Sequence, residues 1–307
     1  MFEKIIGQTH AMEVLKRCIE RNAFPGAFLF LGPNGVGRKL AAIELAKYVN
    51  CSGTDAPCNE CPSCVSVETG SHPYVNVIDF DWQENFLKKS LKEISIDTVR
   101  EIQRILSLKM VQVFGGKDSP ARPRRFVIMD DVRKLSYHAS NCFLKTLEEP
   151  PLDTTIILIA NSTRQLLATI VSRCQVVKFY PIGETEISGL LKRMDAGLSE
   201  EKQALLARLS EGSVSKAIKY LNRWDEYVML KDEFLNLSFD KDKFKDVDMN
   251  EFVEFLLDFY KTRKHKYPGV HFYEALFEAE IQSRFYLNKH LILTQLHSRI
   301  ATAMYDT

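Results

Sequence analysis

The stretch "AFLFLGPNGVGRKLAAIELAK" (residues 27–47) constrains the fold more than any other part of the chain. "AFLFL" is a short, unbroken apolar run, as expected of a strand buried on both faces of a parallel sheet. Gly32, Gly35 and Gly37 follow, and "RKLAAIELAKYVNC" then reads as a helix with Leu40, Ile43, Ala46 and Tyr48 or Val49 on its apolar side. Strand, glycine loop and helix in that order form the setting of the phosphate-binding pattern G-x-x-x-x-G-K-[ST]. This opening also commits the chain to an architecture, because parallel strands need long, usually helical crossovers between them.

The chain alternates as that requirement demands. A helix with Met12, Leu15 and Ile19 on one side precedes the strand. "VNVIDF" (75–80) is a second strand, and "ISIDTVREIQRILSL" an amphipathic helix with Asp97 as N-cap. "GGKDSPARPRR" is a loop leading to the strand "FVIMDD"; "HASNCFLKTLEE" is a helix stopped by Pro150-Pro151. "TTIILIAN" and "QVVKF" complete a doubly wound α/β domain over residues 1–178. Beyond about Pro181 every periodic segment is helical, giving a small helical domain at 179–224 and an all-α domain at 225–307. A length of 307 residues suits two or three such domains.

Bulk properties exclude little, but they do exclude some classes. A net charge of +1 argues neither for nor against nucleic acid. No run approaches the roughly 20 apolar residues of a membrane helix, and "MFEKIIGQTH" carries acid and polar residues too early for a signal peptide. Seven cysteines do not make a closed disulfide framework, so a cytoplasmic location is expected.

Cys51, Cys58, Cys61 and Cys64 are spaced C-x6-C-x2-C-x2-C, immediately after the glycine-loop helix. Four thiolates at this density fit tetrahedral Zn2+ and leave no open position for water, so the expected site is structural. Free surface thiols or an iron–sulfur cluster are the alternatives. With Pro57 and Pro62 between the ligands, the module reads as a compact loop insertion. Apparent zinc binding energies of about 10–16 kcal/mol suffice to fold such a loop without a core of its own. Cys18, Cys142 and Cys174 read as buried small side chains.

The loop departs from the phosphate-binding pattern where its chemistry matters. Gly32, Gly35 and Gly37 keep the backbone cradle, but Arg38 replaces the lysine and Lys39 replaces the magnesium-ligating hydroxyl. Arg38 preserves charge in a larger, planar group. Lys39 has no lone pair to offer a metal, and one helical step of about 100° turns it away from the phosphates. The strand "RFVIMDD" ends in Asp130 and Asp131, where an Asp-Glu pair serves catalysis in ATPases of this kind. Asp130 retains the chemistry to hold a magnesium-bound water, but Asp131 is one methylene too short to reach an attacking water well. The loop can hold a phosphate but is poorly built for Mg-ATP, and ATP or ADP binding is in doubt.

The segment "IIGQTHAMEVLKRCIERNAFPGAFLFLGPNGVGRKLAAIELAKYVNC", the four cysteines, "LKTLEEPP" (144–151) and "SRCQ" (172–175) together resemble the bacterial clamp-loader subunits of DNA polymerase III. The resemblance covers residues 1–222 well and extends loosely through "YLNKHLILTQL". It implies an AAA+ fold, with an α/β domain, a helical lid, and a helical collar that joins subunits into a hetero-pentameric ring. The implied partners are gamma/tau and delta subunits and, through the complex, the sliding clamp and primer-template DNA. Within the family a degenerate phosphate loop marks the stationary, non-hydrolysing subunit; an active gamma/tau-like motor is the alternative. The resemblance also assigns Arg173 as an arginine finger acting in trans on a neighbour's ATP, whereas an arginine there with a purely structural role would cap a helix or pair with a nearby acid. The first sensor position would be Asn161 or Ser162, and Ser215 stands where working members place a lid arginine. "RPRR" (122–125) and "KTRKHK" (261–266) are candidate DNA contacts or solvated faces. Phe252, Phe255, Phe259 and Tyr260 read as core.

Overall fold

Five parallel strands, Ala27–Leu31 (β1), Val75–Ile78 (β2), Arg125–Asp130 (β3), Thr154–Ala160 (β4) and Gln175–Lys178 (β5), form one sheet in the order β2-β3-β4-β1-β5. The computed structural model describes residues 2–87, 93–110, 123–235, 240–262, 270–284 and 289–305. The chain divides into two compact units, Met1–Ile182 and Gly183–Thr307, and the sheet is the centre of the first.

Register places Leu29 opposite Leu158 on one side and Val176 on the other. The period-2 alternation of strands then sorts side chains to two faces. Phe28, Phe30, Phe126, Ile128, Ile157 and Ile159 pack under helices Thr9–Glu20 (α1) and Arg38–Asn50 (α2). Leu29, Val127, Met129, Ile156 and Leu158 pack under Ile96–Ser107 (α5) and Tyr137–Glu148 (α6). Between these pairs lie Pro62–Glu68 (α3) and Phe80–Leu87 (α4).

Several local expectations are corrected. The strand at 75–80 ends at Ile78, because Asp79 turns the chain into α4 by accepting the Trp82 N–H at 2.9 Å. Ser95, not Asp97, caps α5: its side chain accepts from the Thr98 N–H, leaving Asp97 in the first turn, where its charge suits the helix dipole. The apolar side of α2 is also different. Ala41, Ala42, Leu45 and Ala46 are buried, and so are Glu44, Lys47 and Asn50, while Leu40, Ile43, Tyr48 and Val49 are half-buried. The helix is covered on more than one side, so its hydrophobic stripe does not mark its only buried face. Cys18 is buried as expected, whereas Cys142 and Cys174 are half-buried. Most of "GGKDSPARPRR", up to Arg122, lies outside the described residues.

The second unit is helical: Glu184–Met194 (α8), Glu200–Leu209 (α9), Val214–Asn222 (α10), Trp224–Phe234 (α11), Met249–Thr262 (α12), Val270–Arg284 (α13) and Lys289–Tyr305 (α14). The short α7 (Ala168–Val171) belongs to the first unit. Phe252, Phe255 and Phe259 of α12 are buried and Tyr260 is half-buried. Tyr227 of α11 stacks on Phe255 with centroids 4.8 Å apart. A polar seam joins α10 to α12: Lys216 reaches the buried Asp258 at 2.8 Å, Lys219 reaches Glu254 at 3.2 Å, and Tyr220 donates to Asp258 at 2.7 Å. Among the described residues no helix is long and apolar enough to cross a membrane.

Candidate functional site

The glycine loop joins the C-terminal end of β1 to α2, at the sheet edge where β3 ends in Asp130. Gly35 and Gly37 have φ of +74° and +94°, the left-handed region that costs glycine little. Gly32 is required for a different reason: a Cβ there would sit 2.3 Å from the Phe179 carbonyl oxygen. Gln8 fastens this arrangement. Its side-chain N–H groups reach the carbonyls of Val36 (3.3 Å) and Tyr180 (2.6 Å), and its Oε1 accepts the Tyr180 N–H at 3.0 Å. Sequence reasoning missed Gln8. Its only local signal is a polar side chain between the left-handed Gly7 and the first helix.

The loop's two charged residues are each engaged by another residue. Arg38 is buried, and its Nη2 donates to Asn34 Oδ1 at 2.8 Å. Its Nη1 finds no hydrogen-bond partner among the described residues. Burial pulls the Arg38 pKa below its ordinary value, Asp130 and Asp131 push it back, and Arg133 adds repulsion. Lys39 swings to Asp79, with Nζ 3.1 Å from Oδ2. An ammonium paired with a carboxylate therefore stands where the loop pattern needs a hydroxyl for a metal. Burial raises Asp130 above the usual carboxylate range, and Lys39 and Arg38 only partly offset it. Asp131 is held by Arg133, whose Nε lies 3.0 and 2.8 Å from its two oxygens and whose Nη2 also pairs with it. Both Asp131 oxygens are therefore engaged by Arg133. At the end of β4, Asn161 Oδ1 has no partner among the described residues, while Ser162 Oγ accepts the Arg164 N–H at 3.2 Å.

Arg173 does not join this cluster. It precedes the first residue of β5, whereas the loop follows the last residues of β1, and β5 runs parallel to β1. The four residues of β5 separate the two edges by about 13 Å at ~3.3 Å per residue. Arg173 pairs with Glu148 at the end of α6: Nε donates to Oε1 at 2.9 Å and Nη2 donates to the same oxygen. Its Nη1 donates to the Thr169 carbonyl at 2.9 Å.

The four cysteines converge, their sulfurs all within 4.8 Å of one another. Sγ of Cys51 lies 3.5 Å from that of Cys58 and 4.0 Å from that of Cys61. A tetrahedron with Zn–S bonds of about 2.3 Å has edges of about 3.8 Å, so the cluster fits such an ion. The N–H groups of Gly53 and Cys58 point at Cys51 Sγ, that of Cys61 at Cys58 Sγ, and that of Cys64 at Cys61 Sγ, at 3.3–3.4 Å. These are donors suited to thiolates. Burial raises the Cys61 thiol, but hydrogen bonds involving Ser52 and Cys64 outweigh it and bring its pKa to about 6; burial holds Cys51 and Cys64 high. The module is not only loop, since Cys61 caps α3 with Pro62 in its first turn.

Two arginines of "RPRR" are consumed internally. Arg125 is buried and donates to the carbonyls of Leu106 and Leu108. Arg124 bonds Thr155 Oγ1 at 3.0 Å and lies over the Phe24 ring. Residues 263–266 of "KTRKHK" lie outside the described residues. Lys216, beside Ser215, is committed to Asp258 and Glu254.

Residues 7–183 match the family described as "DNA polymerase III, delta subunit". The chain is 32% identical over 72% of its length to DNA polymerase III subunit tau of Bacillus subtilis, spanning 37% of that protein. It is 30% identical over 75% of its length to subunit delta' of the same organism, spanning 64% of it. The fold matches a DNA polymerase III gamma subunit-related protein of Thermotoga maritima with a TM-score of 0.56, 19% identity and coverage of 96% of this chain and 99% of that one. The RuvB Holliday junction branch migration motor of Thermotoga maritima superposes with a TM-score of 0.50 and 14% identity, covering 99% of this chain and 89% of its own.

Proposed function

We propose, because this chain belongs to the DNA polymerase III clamp-loader family, that it is the delta-prime type: a non-hydrolysing stator of the ring that loads the sliding clamp onto primed DNA. The observation that carries this reading is the Lys39–Asp79 ion pair: the residue at the hydroxyl position of the loop is a cation engaged by a carboxylate. A phosphate loop without a metal-ligating oxygen loses the ion that bridges and neutralises the terminal phosphates. Arg133 strengthens the reading by occupying Asp131. The buried, unpartnered Nη1 of Arg38 leaves the cradle able to take an anion, so weak phosphate or nucleotide contact without turnover is compatible with it.

Arg173 is then the residue this subunit contributes to chemistry. Its position at the sheet edge opposite its own loop supports service to a neighbour rather than to itself. A guanidinium stays charged at all relevant pH values and bridges phosphate oxygens in two-point contact. Fingers supplied in trans are worth about 10^3–10^5 in kcat elsewhere. Cys51, Cys58, Cys61 and Cys64 hold a structural Zn2+ whose role is to fix α3 beside α2. Residues 179–224 serve as the lid and 225–307 as the collar that joins gamma/tau and delta subunits in a hetero-pentamer.

The test is a clamp- and DNA-stimulated ATPase assay on the reconstituted complex, comparing wild type with Arg173→Ala and with the isolated chain. A silent isolated chain, and a loss of at least about 10^3-fold at one site on mutation, are expected. Turnover by the isolated chain would overturn the stator reading in favour of a gamma/tau-like motor.

A further inference from the structure

The arrangement around Arg173 assigns a second residue to its task. We propose that Glu148 is the positioning residue for the Arg173 guanidinium, an inference that rests on Arg173 acting in trans. The two residues come from different elements, the last turn of α6 and the turn between α7 and β5. Glu148 Oε1 accepts from both Nε and Nη2. The Thr169 carbonyl accepts from Nη1 at 2.9 Å, and Ser172 Oγ lies 3.5 Å from the same nitrogen. Each nitrogen of the guanidinium is thus held, by two acceptors from different elements, Glu148 Oε1 and the Thr169 carbonyl oxygen.

Two N–H groups are left over. A guanidinium has five N–H groups. The carboxylate takes one from Nε and one from Nη2, and the carbonyl takes one from Nη1. The second N–H of Nη2 and the weakly held one of Nη1 remain for an outside acceptor. Terminal nitrogens of this kind make the two-point contact with phosphate oxygens. The site is also reachable, since the Arg173 and Glu148 side chains keep 32% and 46% of their areas exposed. As a stabilising contact, an exposed pair like this is worth little. Its value lies in orientation: a catalytic group misplaced by about 1 Å loses about 10^2-fold. Glu148 does not touch the neighbour's nucleotide in this scheme and acts only through Arg173.

The test uses a reconstituted complex in which only the neighbour receiving Arg173 keeps a competent phosphate loop. Turnover and KM for ATP are compared for wild type, Glu148→Ala, Glu148→Gln and Arg173→Ala. Glu148→Ala should lower kcat by about 10- to 10^2-fold with KM unchanged. Glu148→Gln should stay within about threefold of wild type, because the amide oxygen still accepts from Nε. Arg173→Ala should be lower than either. If Arg173→Ala falls and Glu148→Ala does not, Glu148 has no positioning role and the finger stands without it. If both Glu148 variants run faster than wild type, Glu148 is a restraint on the finger and the proposal is overturned. If Arg173→Ala leaves turnover unchanged, the reading of Arg173 fails first and takes this inference with it.

Discussion

Replacing Lys47 with methionine should destabilise the sheet-bearing unit by about 3 kcal/mol. Lys47 projects from the phosphate-loop helix and is 1% exposed. Its Nζ lies 3.1 Å from Glu44 Oε1 and 2.6 Å from Glu68 Oε2 of α3, the helix that carries Cys64. Burial disfavours the ammonium, but the two carboxylates outweigh it and hold the Lys47 pKa above its ordinary value. Removing one partner of a buried pair costs about 3–5 kcal/mol, mostly because the other charge is stranded. Here the stranded charge is Glu44, 4% exposed, which keeps Lys4 at 3.6 Å; that remaining cation places the cost at the low end. The Glu68 arm is 58% exposed, and pairs of that kind contribute less than about 1 kcal/mol. For a unit of this size the loss corresponds to a Tm about 6–12 °C lower. The chain has two tryptophans, Trp82 in the first unit and Trp224 in the second. Fluorescence-detected unfolding in a Trp224→Phe background therefore reports the right unit. Adding Glu44→Gln to Lys47→Met should recover most of the loss. A single-variant loss below about 1 kcal/mol would refute the argument that this ion pair is desolvated.

Three further outcomes are expected. The purified chain should bind one zinc per molecule by metal analysis, and Cys64→Ser, at a fully buried position, should abolish stoichiometric binding and lower the Tm. His72 is buried, accepts the Tyr74 N–H on Nδ1, and is pushed by burial from 6.5 down to about 4. The unfolded chain therefore takes up the proton first, and stability falls by about 3 kcal/mol as pH drops from 6.5 to 4; the wild-type-minus-His72→Asn stability difference should show that fall and be flat above pH 7. Finally, Arg38→Lys with Lys39→Thr restores the lysine and the hydroxyl. Calorimetry should show nucleotide affinity rising at least about tenfold when Mg2+ is added, 1.4 kcal/mol, without turnover, because Arg133 still holds Asp131; turnover by the isolated double variant would remove that role from Arg133.

The sheet was legible because strands of a parallel sheet are buried on both faces and read as continuous apolar runs, as "AFLFL" and "TTIILIA" do. The cysteine cluster was legible because its ligands are close in sequence and chemically distinctive. What could not be read was partner choice. Lys39 finds Asp79 forty residues away, Gln8 reaches Tyr180 across 172 residues, and Arg173 takes Glu148 across 25. No periodicity encodes such pairs. Even Arg133, two residues from Asp131, needs the local turn before its guanidinium can reach back. The misassigned face of α2 has a related cause: Glu44, Lys47 and Asn50 are buried because each has a partner, and hydropathy patterns count them as exposed.

The sheet's polarity links the two halves of the proposed function. In a parallel sheet every strand leaves by the same edge, so whatever follows β1 and whatever precedes β5 lie on opposite edges. A phosphate loop after β1 and an arginine before β5 therefore cannot complete one site within a chain, but they can complete a site between two chains stacked edge to edge. In such a stack the loop of one member and the arginine of the other are under independent selection. A subunit at the end of an open ring needs only the half that faces its neighbour. In this chain Lys39 stands at the hydroxyl position and pairs with Asp79, and Arg133 holds Asp131, while Arg173 is held by Glu148 and the Thr169 carbonyl with donor capacity to spare. That asymmetry is what the proposed stator role requires.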